Sequence, residues 1–85
     1  MTRNNEKGAS PSPFHVEIDR VKGGLAVLVA GVRAIRELTD NVALFRLKGG
    51  FLRISGHNIA VTIYENRTVE VVGGVVSIEI ENDKT

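Results

Sequence analysis

Apolar and polar residues alternate along most of the chain after residue 13. In the stretch 14–19, Phe14, Val16 and Ile18 share one side while His15, Glu17 and Asp19 share the other. That period of two predicts a half-buried strand. The same alternation predicts strands over Val42–Leu47, Phe51–Ile54, Asn58–Tyr64, Thr68–Val72 and Val75–Glu81. Between them lie Arg20–Gly24, Thr39–Asn41, Lys48–Gly50, Ser55–His57, Glu65–Arg67 and Gly73-Gly74. These segments read as turns, with Gly73-Gly74 as a two-residue hairpin loop. Turns recur roughly every 8–10 residues, the cadence of an antiparallel meander, sandwich or small barrel. Spacing this short leaves no room for the crossover helices of a parallel sheet.

The segment 25–38 has two readings. Leu25, Leu28, Val29, Val32 and Ile35 would form a stripe on a helix. Gly31 lies in its middle, however, and costs a helix about 1 kcal/mol relative to Ala. Val27, Val29 and Val32 also favour a pleated surface. The reading adopted is two strands, 25–30 and 32–38, bent at Gly31.

Alternation also assigns sides. The predicted core face comprises Val42, Leu44, Leu52, Ile54, Ile59, Val61, Ile63, Val69, Val71, Val76, Ile78 and Ile80. Phe45, Leu47, Phe51 and Tyr64 then fall on the side expected to face water. An apolar second surface of this kind calls for a cover, from the first two strands or from another chain. Those four residues are the candidate interaction surface.

Composition narrows the picture. With 85 residues the chain holds one small domain, an all-β roll or sandwich of about 6–8 short strands. The domain spans 14–81, preceded by a polar, Pro-containing arm over 1–13 expected to be disordered and followed by a frayed end over 82–85. Its 11 basic and 10 acidic residues nearly cancel, which argues against a strongly basic nucleic-acid binder. The absence of Cys excludes disulfides, thiolate metal sites and a Cys nucleophile. The N-terminal stretch has no apolar signal region, and the longest apolar run, Leu25–Ala30, is far below the roughly 20 residues of a membrane helix. A cytoplasmic location is expected.

Catalytic chemistry finds little purchase. Ser55 and His57 lie two apart in a turn with no acid to orient the imidazole, so His57 reads as an exposed turn residue. Glu79 and Glu81 share a strand face about 7 Å apart and read as solvated. No phosphate-binding loop follows from the Gly pairs, because none opens a helix. No cofactor, metal site, small-molecule substrate or enzymatic activity is predicted. A small β-barrel binding single-stranded nucleic acid is the alternative function. Phe45, Phe51 and Tyr64 would stack bases, with Arg33, Arg36, Arg46, Arg53 and Arg67 nearby. The Arg residues also have acidic neighbours to pair with, Glu37, Asp40, Glu65 and Glu70.

Two stretches carry a resemblance. One runs from Gly31-Val32 through Asp40-Asn41 to Leu44. The other is Gly49-Gly50-Phe51-Leu52-Arg53-Ile54-Ser55-Gly56-His57-Asn58-Ile59-Ala60-Val61, and Val69–Ile78 supplies a closing strand. Together they resemble the YabP/YqfC family of sporulation proteins over roughly residues 14–80. The chain departs from that pattern at Leu47, where Thr or Ser is expected, and in the more apolar Leu25–Ala30. The resemblance implies a non-enzymatic mother-cell protein of later spore formation. It also implies protein–protein contact with a membrane-embedded partner, and a homo-oligomer is compatible with it.

Overall fold

A computed structural model describes residues 14–82; the arm over 1–13 and residues 83–85 of the end expected to fray lie outside the described residues, while Asn82 belongs to the last strand. The chain is all-β. Among the described residues it forms six strands: β1 His15–Val21, β2 Gly24–Ala30, β3 Ala34–Leu38, β4 Val42–Leu47, β5 Gly50–Tyr64 and β6 Thr68–Asn82. All pair antiparallel in one open sheet of order β1-β2-β6-β5-β4-β3. The β1–β2 hairpin and the β3–β6 meander are joined by pairing of β2 with β6. Residues 25–38 form two strands with an irregular link at 31–33, in keeping with the extended reading of that segment. Gly31 takes φ +95° there, a conformation open to glycine at no steric cost.

Two predicted turns are not turns. Ser55–His57 lies inside β5, and Gly73-Gly74 lies inside β6 opposite it, so the last four predicted strands are two strands of 15 residues each. Glycine here serves close backbone approach within a bend. A Cβ on Gly24 would collide with the Gly73 carbonyl, and one on Gly56 with the Gly74 carbonyl; one on Gly73 would lie 2.6 Å from the Asn58 carbonyl oxygen. Register shifts at Ser55/Gly56 and His57/Ala60 mark bulges at the same level, which sharpen the bend. The β3–β4 turn covers the exposed backbone of this bend. Asn41 and Gly56 exchange bonds: the Gly56 N–H donates to the Asn41 carbonyl at 2.9 Å, and Asn41 Nδ2 donates to the Gly56 carbonyl at 3.0 Å. The Ile59 N–H donates to the Asp40 carbonyl at 2.9 Å. Thr39 Oγ1 holds the turn itself, accepting from the Asn41 and Val42 N–H groups.

The bend explains how one sheet makes a core. Cross-strand rows such as Phe45–Leu52–Ile80 and Ala43–Ile54–Ile78 lie in one half. Rows such as Val16–Val29–Val69–Ile63 lie in the other. Both halves contribute to a single cluster containing Val27, Val29, Val32, Phe45, Leu47, Leu52, Ile54, Val69 and Val71. A lone sheet achieves this only by folding so that its halves face one another. The link after β2 is tied to the start of β6, next to the Ala30–Thr68 pair, where the Gly31 and Val32 N–H groups both donate to the Arg67 carbonyl at 3.0 Å.

β4 packs with the opposite face from the one predicted. Ala43, Phe45 and Leu47 are buried, while Val42 and Leu44 are half-buried on the outer side. The cause is the loop before β5. Its two residues, Lys48 and Gly49, pair Leu47 with Gly50 and hence Phe45 with Leu52. Reading Gly50 into the loop lengthens it by one residue and reverses the face of the whole strand. Three other predicted core residues are exposed: Ile63 at 65%, Val76 at 71% and Ile80 at 51%. They lie on the halves of β5 and β6 that have a pairing strand on one side only.

Candidate interaction surface

The four candidate residues do not form one patch. Phe45 and Leu47 are withdrawn into the core, at 0% and 1% exposure, and offer no surface to a partner. Phe51 and Tyr64 stand at opposite ends of β5.

Phe51 lies half-buried on the outer side of the sheet, in the cross-strand row Arg46–Phe51–Glu81. The Arg46 guanidinium carbon is 5.1 Å from the ring centroid and that of Arg36 is 5.9 Å away. Arg36 reaches it because β3 bulges between Ile35 and Glu37. Both distances suit cation–π attraction. The next row, Glu37–Leu44–Arg53–Glu79, sets opposite charges on neighbouring strands. On this part of the outer face Arg53 has Glu79 as its cross-strand neighbour, and two arginines stand over the Phe51 ring.

Tyr64 is 48% exposed beside the β5–β6 turn. Its hydroxyl donates to Glu70 Oε1 at 3.2 Å. That hydrogen bond, together with repulsion of a phenolate by the Glu70 carboxylate, raises the phenol above its ordinary pKa. His15 Nε2 lies 2.9 Å from Glu17 Oε2 on the exposed side of β1, a solvated pair that adds little to stability. His57 is exposed, at the bend and not in a turn.

Residues outside the predicted set make the more continuous apolar surface. Among the described residues β6 pairs from Gly74 onward with β5 alone, since β2 reaches only to Gly73. Val76 and Ile80 project from this half-paired stretch, with Ile78 partly covered between them. Alternation marks these positions as apolar but cannot say which strand lacks a neighbour. At the other end of the fold, Val32, Ala34, Ile35, Ile63 and Val69 line a mostly apolar crevice of about 170 Å³ together with Arg33, Arg67 and Thr68. It separates β3 from the end of β5.

Among the described residues no helix is long and apolar enough to cross a membrane. Compared with known families, curated proteins and solved structures, the chain matches none of them.

Proposed function

We propose that the protein is a non-enzymatic sporulation factor of the mother cell that works by protein–protein contact, with a membrane-embedded protein among its partners. The family is inferred from the resemblance of residues 14–80 to YabP/YqfC proteins. The observation that supports contact as the mode of action is the C-terminal half of β6. Among the described residues it is a strand with one edge unpaired and two large aliphatic side chains, Val76 and Ile80, in solvent. Unpaired N–H and C=O groups beside exposed aliphatics are what strand addition uses: the backbone supplies affinity and the alternate side chains supply specificity.

Deleting the gene in a spore-forming host tests the reading. Loss of mature spores is expected, restored by the wild-type chain and not by a chain carrying Val76→Lys and Ile80→Lys. The wild-type chain should also co-purify from detergent extracts with an integral membrane protein encoded beside it, and the double variant should not. A deletion strain that makes spores at the normal frequency overturns the proposal.

A further inference from the structure

We propose that the C-terminal half of β6 pairs with the same segment of a second copy of this chain, antiparallel about a two-fold axis at Ile78. The inference rests on the edge-contact reading above and names the occupant of that edge.

Residues 75–82 hold β5 on one side, and among the described residues no strand pairs with their other side. Sheet edges are ordinarily blunted by charged side chains, Lys above all, by Pro or by a bulge. Beyond the register shift at Val76, the run Ser77-Ile78-Glu79-Ile80-Glu81 has no Lys, Pro or bulge, and its charges are the two carboxylates Glu79 and Glu81. The other edges suit this one poorly. The polar row of β1 holds His15, Glu17 and Asp19, which would set carboxylates against Glu79 and Glu81. The outer edge of β3 faces the crevice shared with the end of β5.

Charge selects the register of self-pairing. An axis at Glu79 places that carboxylate opposite its own copy. An axis at Ile80 places Glu79 opposite the partner's Glu81. An axis at Ile78 instead sets Ser77 against the partner's Glu79 and Ile78 against the partner's Ile78, and brings Val76, the extra residue of the bulge, beside the partner's Ile80. Hydroxyl then meets carboxylate and aliphatic meets aliphatic, with no like charges directly opposed. Arg53, the cross-strand neighbour of Glu79 within each chain, offsets the remaining diagonal repulsion. The product is an isologous dimer with one sheet continuous across both copies.

The chain has no native Cys, so its register can be read by cross-linking. Full-length Ser77→Cys and Glu79→Cys chains are mixed and oxidised. Mixed disulfide dimers should form several-fold faster than dimers of either variant alone, because only the mixed pair places the cysteines directly opposite; like pairs sit roughly 7–8 Å apart on the diagonal, at the limit of bridging. Sedimentation should give a dimer for the wild-type chain and a monomer for Val76→Lys, whose exposed position leaves the strand circular dichroism unchanged. A wild-type chain that sediments as a monomer at all concentrations overturns the dimer. So does a dimer that Val76→Lys leaves intact, or equal cross-linking in all mixtures. A monomer whose double edge variant still fails to restore spores also overturns self-pairing, while leaving the edge in contact with a different protein.

Discussion

Phe45 stands directly opposite Leu52 across the β4–β5 ladder, and both side chains are fully buried. Replacing Phe45 by Ser leaves a ring-sized cavity and puts a hydroxyl among aliphatic groups. A loss of about 3–5 kcal/mol follows from such large-to-small changes in a core. Phe51, two rows from the same turn but on the outer side, gives the contrast. Phe51→Ser forfeits partial burial and contacts with two guanidinium groups, a loss of about 1 kcal/mol. Urea unfolding followed by circular dichroism separates them. Equal losses would place both rings in the core.

The bend in the long hairpin depends on backbones approaching where no Cβ fits. Gly73→Ala brings a methyl to 2.6 Å from the Asn58 carbonyl oxygen, at φ +146°. Strain of about 1–3 kcal/mol comes from the dihedral alone, and the clash adds to it. Gly23→Ala is the matched control. Its φ is +89°, with nothing within 4 Å of the added Cβ. Its cost should stay near the roughly 1–2 kcal/mol of a left-handed alanine. Thermal unfolding midpoints should therefore rank wild type, Gly23→Ala, then Gly73→Ala.

Arg67 holds φ +59°, and its carbonyl accepts the two amides that tie down the β2–β3 link. The conformation is costly for a residue with a Cβ, whereas the bonds use only backbone. Arg67→Gly should raise stability by up to about 1 kcal/mol, the relief of strain exceeding the added freedom of the unfolded chain. A fall in stability would mean that the Arg67 side chain contributes to the fold.

Tyr64 is the single tyrosine, so ultraviolet titration of the phenol reports one group. Its pKa is raised by the hydrogen bond to Glu70 and by that carboxylate's charge. Glu70→Gln should return it toward the ordinary value of about 10. A raised folded-state pKa means the native state holds the proton more tightly. The associated stability is present below the unfolded phenol's pKa and is lost as pH climbs through the folded one. Stability should therefore fall with rising pH in the alkaline range, less steeply in Glu70→Gln. An unchanged titration curve in that variant would show that the bond is not formed in solution.

Much of the fold was legible along the chain. Val and Ile at period two, broken by Gly and Asn, imposed strands, because branched side chains suit a pleated surface and lose freedom in a helix. The inner row of β5, Leu52 and Ile54, and that of β6, Val69 and Val71, followed from alternation against polar neighbours. In β4 one face carries Val42, Leu44 and Arg46 and the other Ala43, Phe45 and Leu47, so the single charge of Arg46 already marked the first as outer, and the two-residue loop Lys48-Gly49 set the register that buries the second. Local pattern could not tell a glycine pair that turns the chain from one that lets three strands crowd together. Gly73-Gly74 acts in the second way because Gly24, Gly56 and Asn58, remote in sequence, press on it. Which aliphatics are left in water was likewise a tertiary outcome: Val76 and Ile80 carry the same signature as Val69 and Val71, and differ in that β2 ends before reaching them. Local chemistry chose the strands; the number of neighbours each strand found chose the core and the edge.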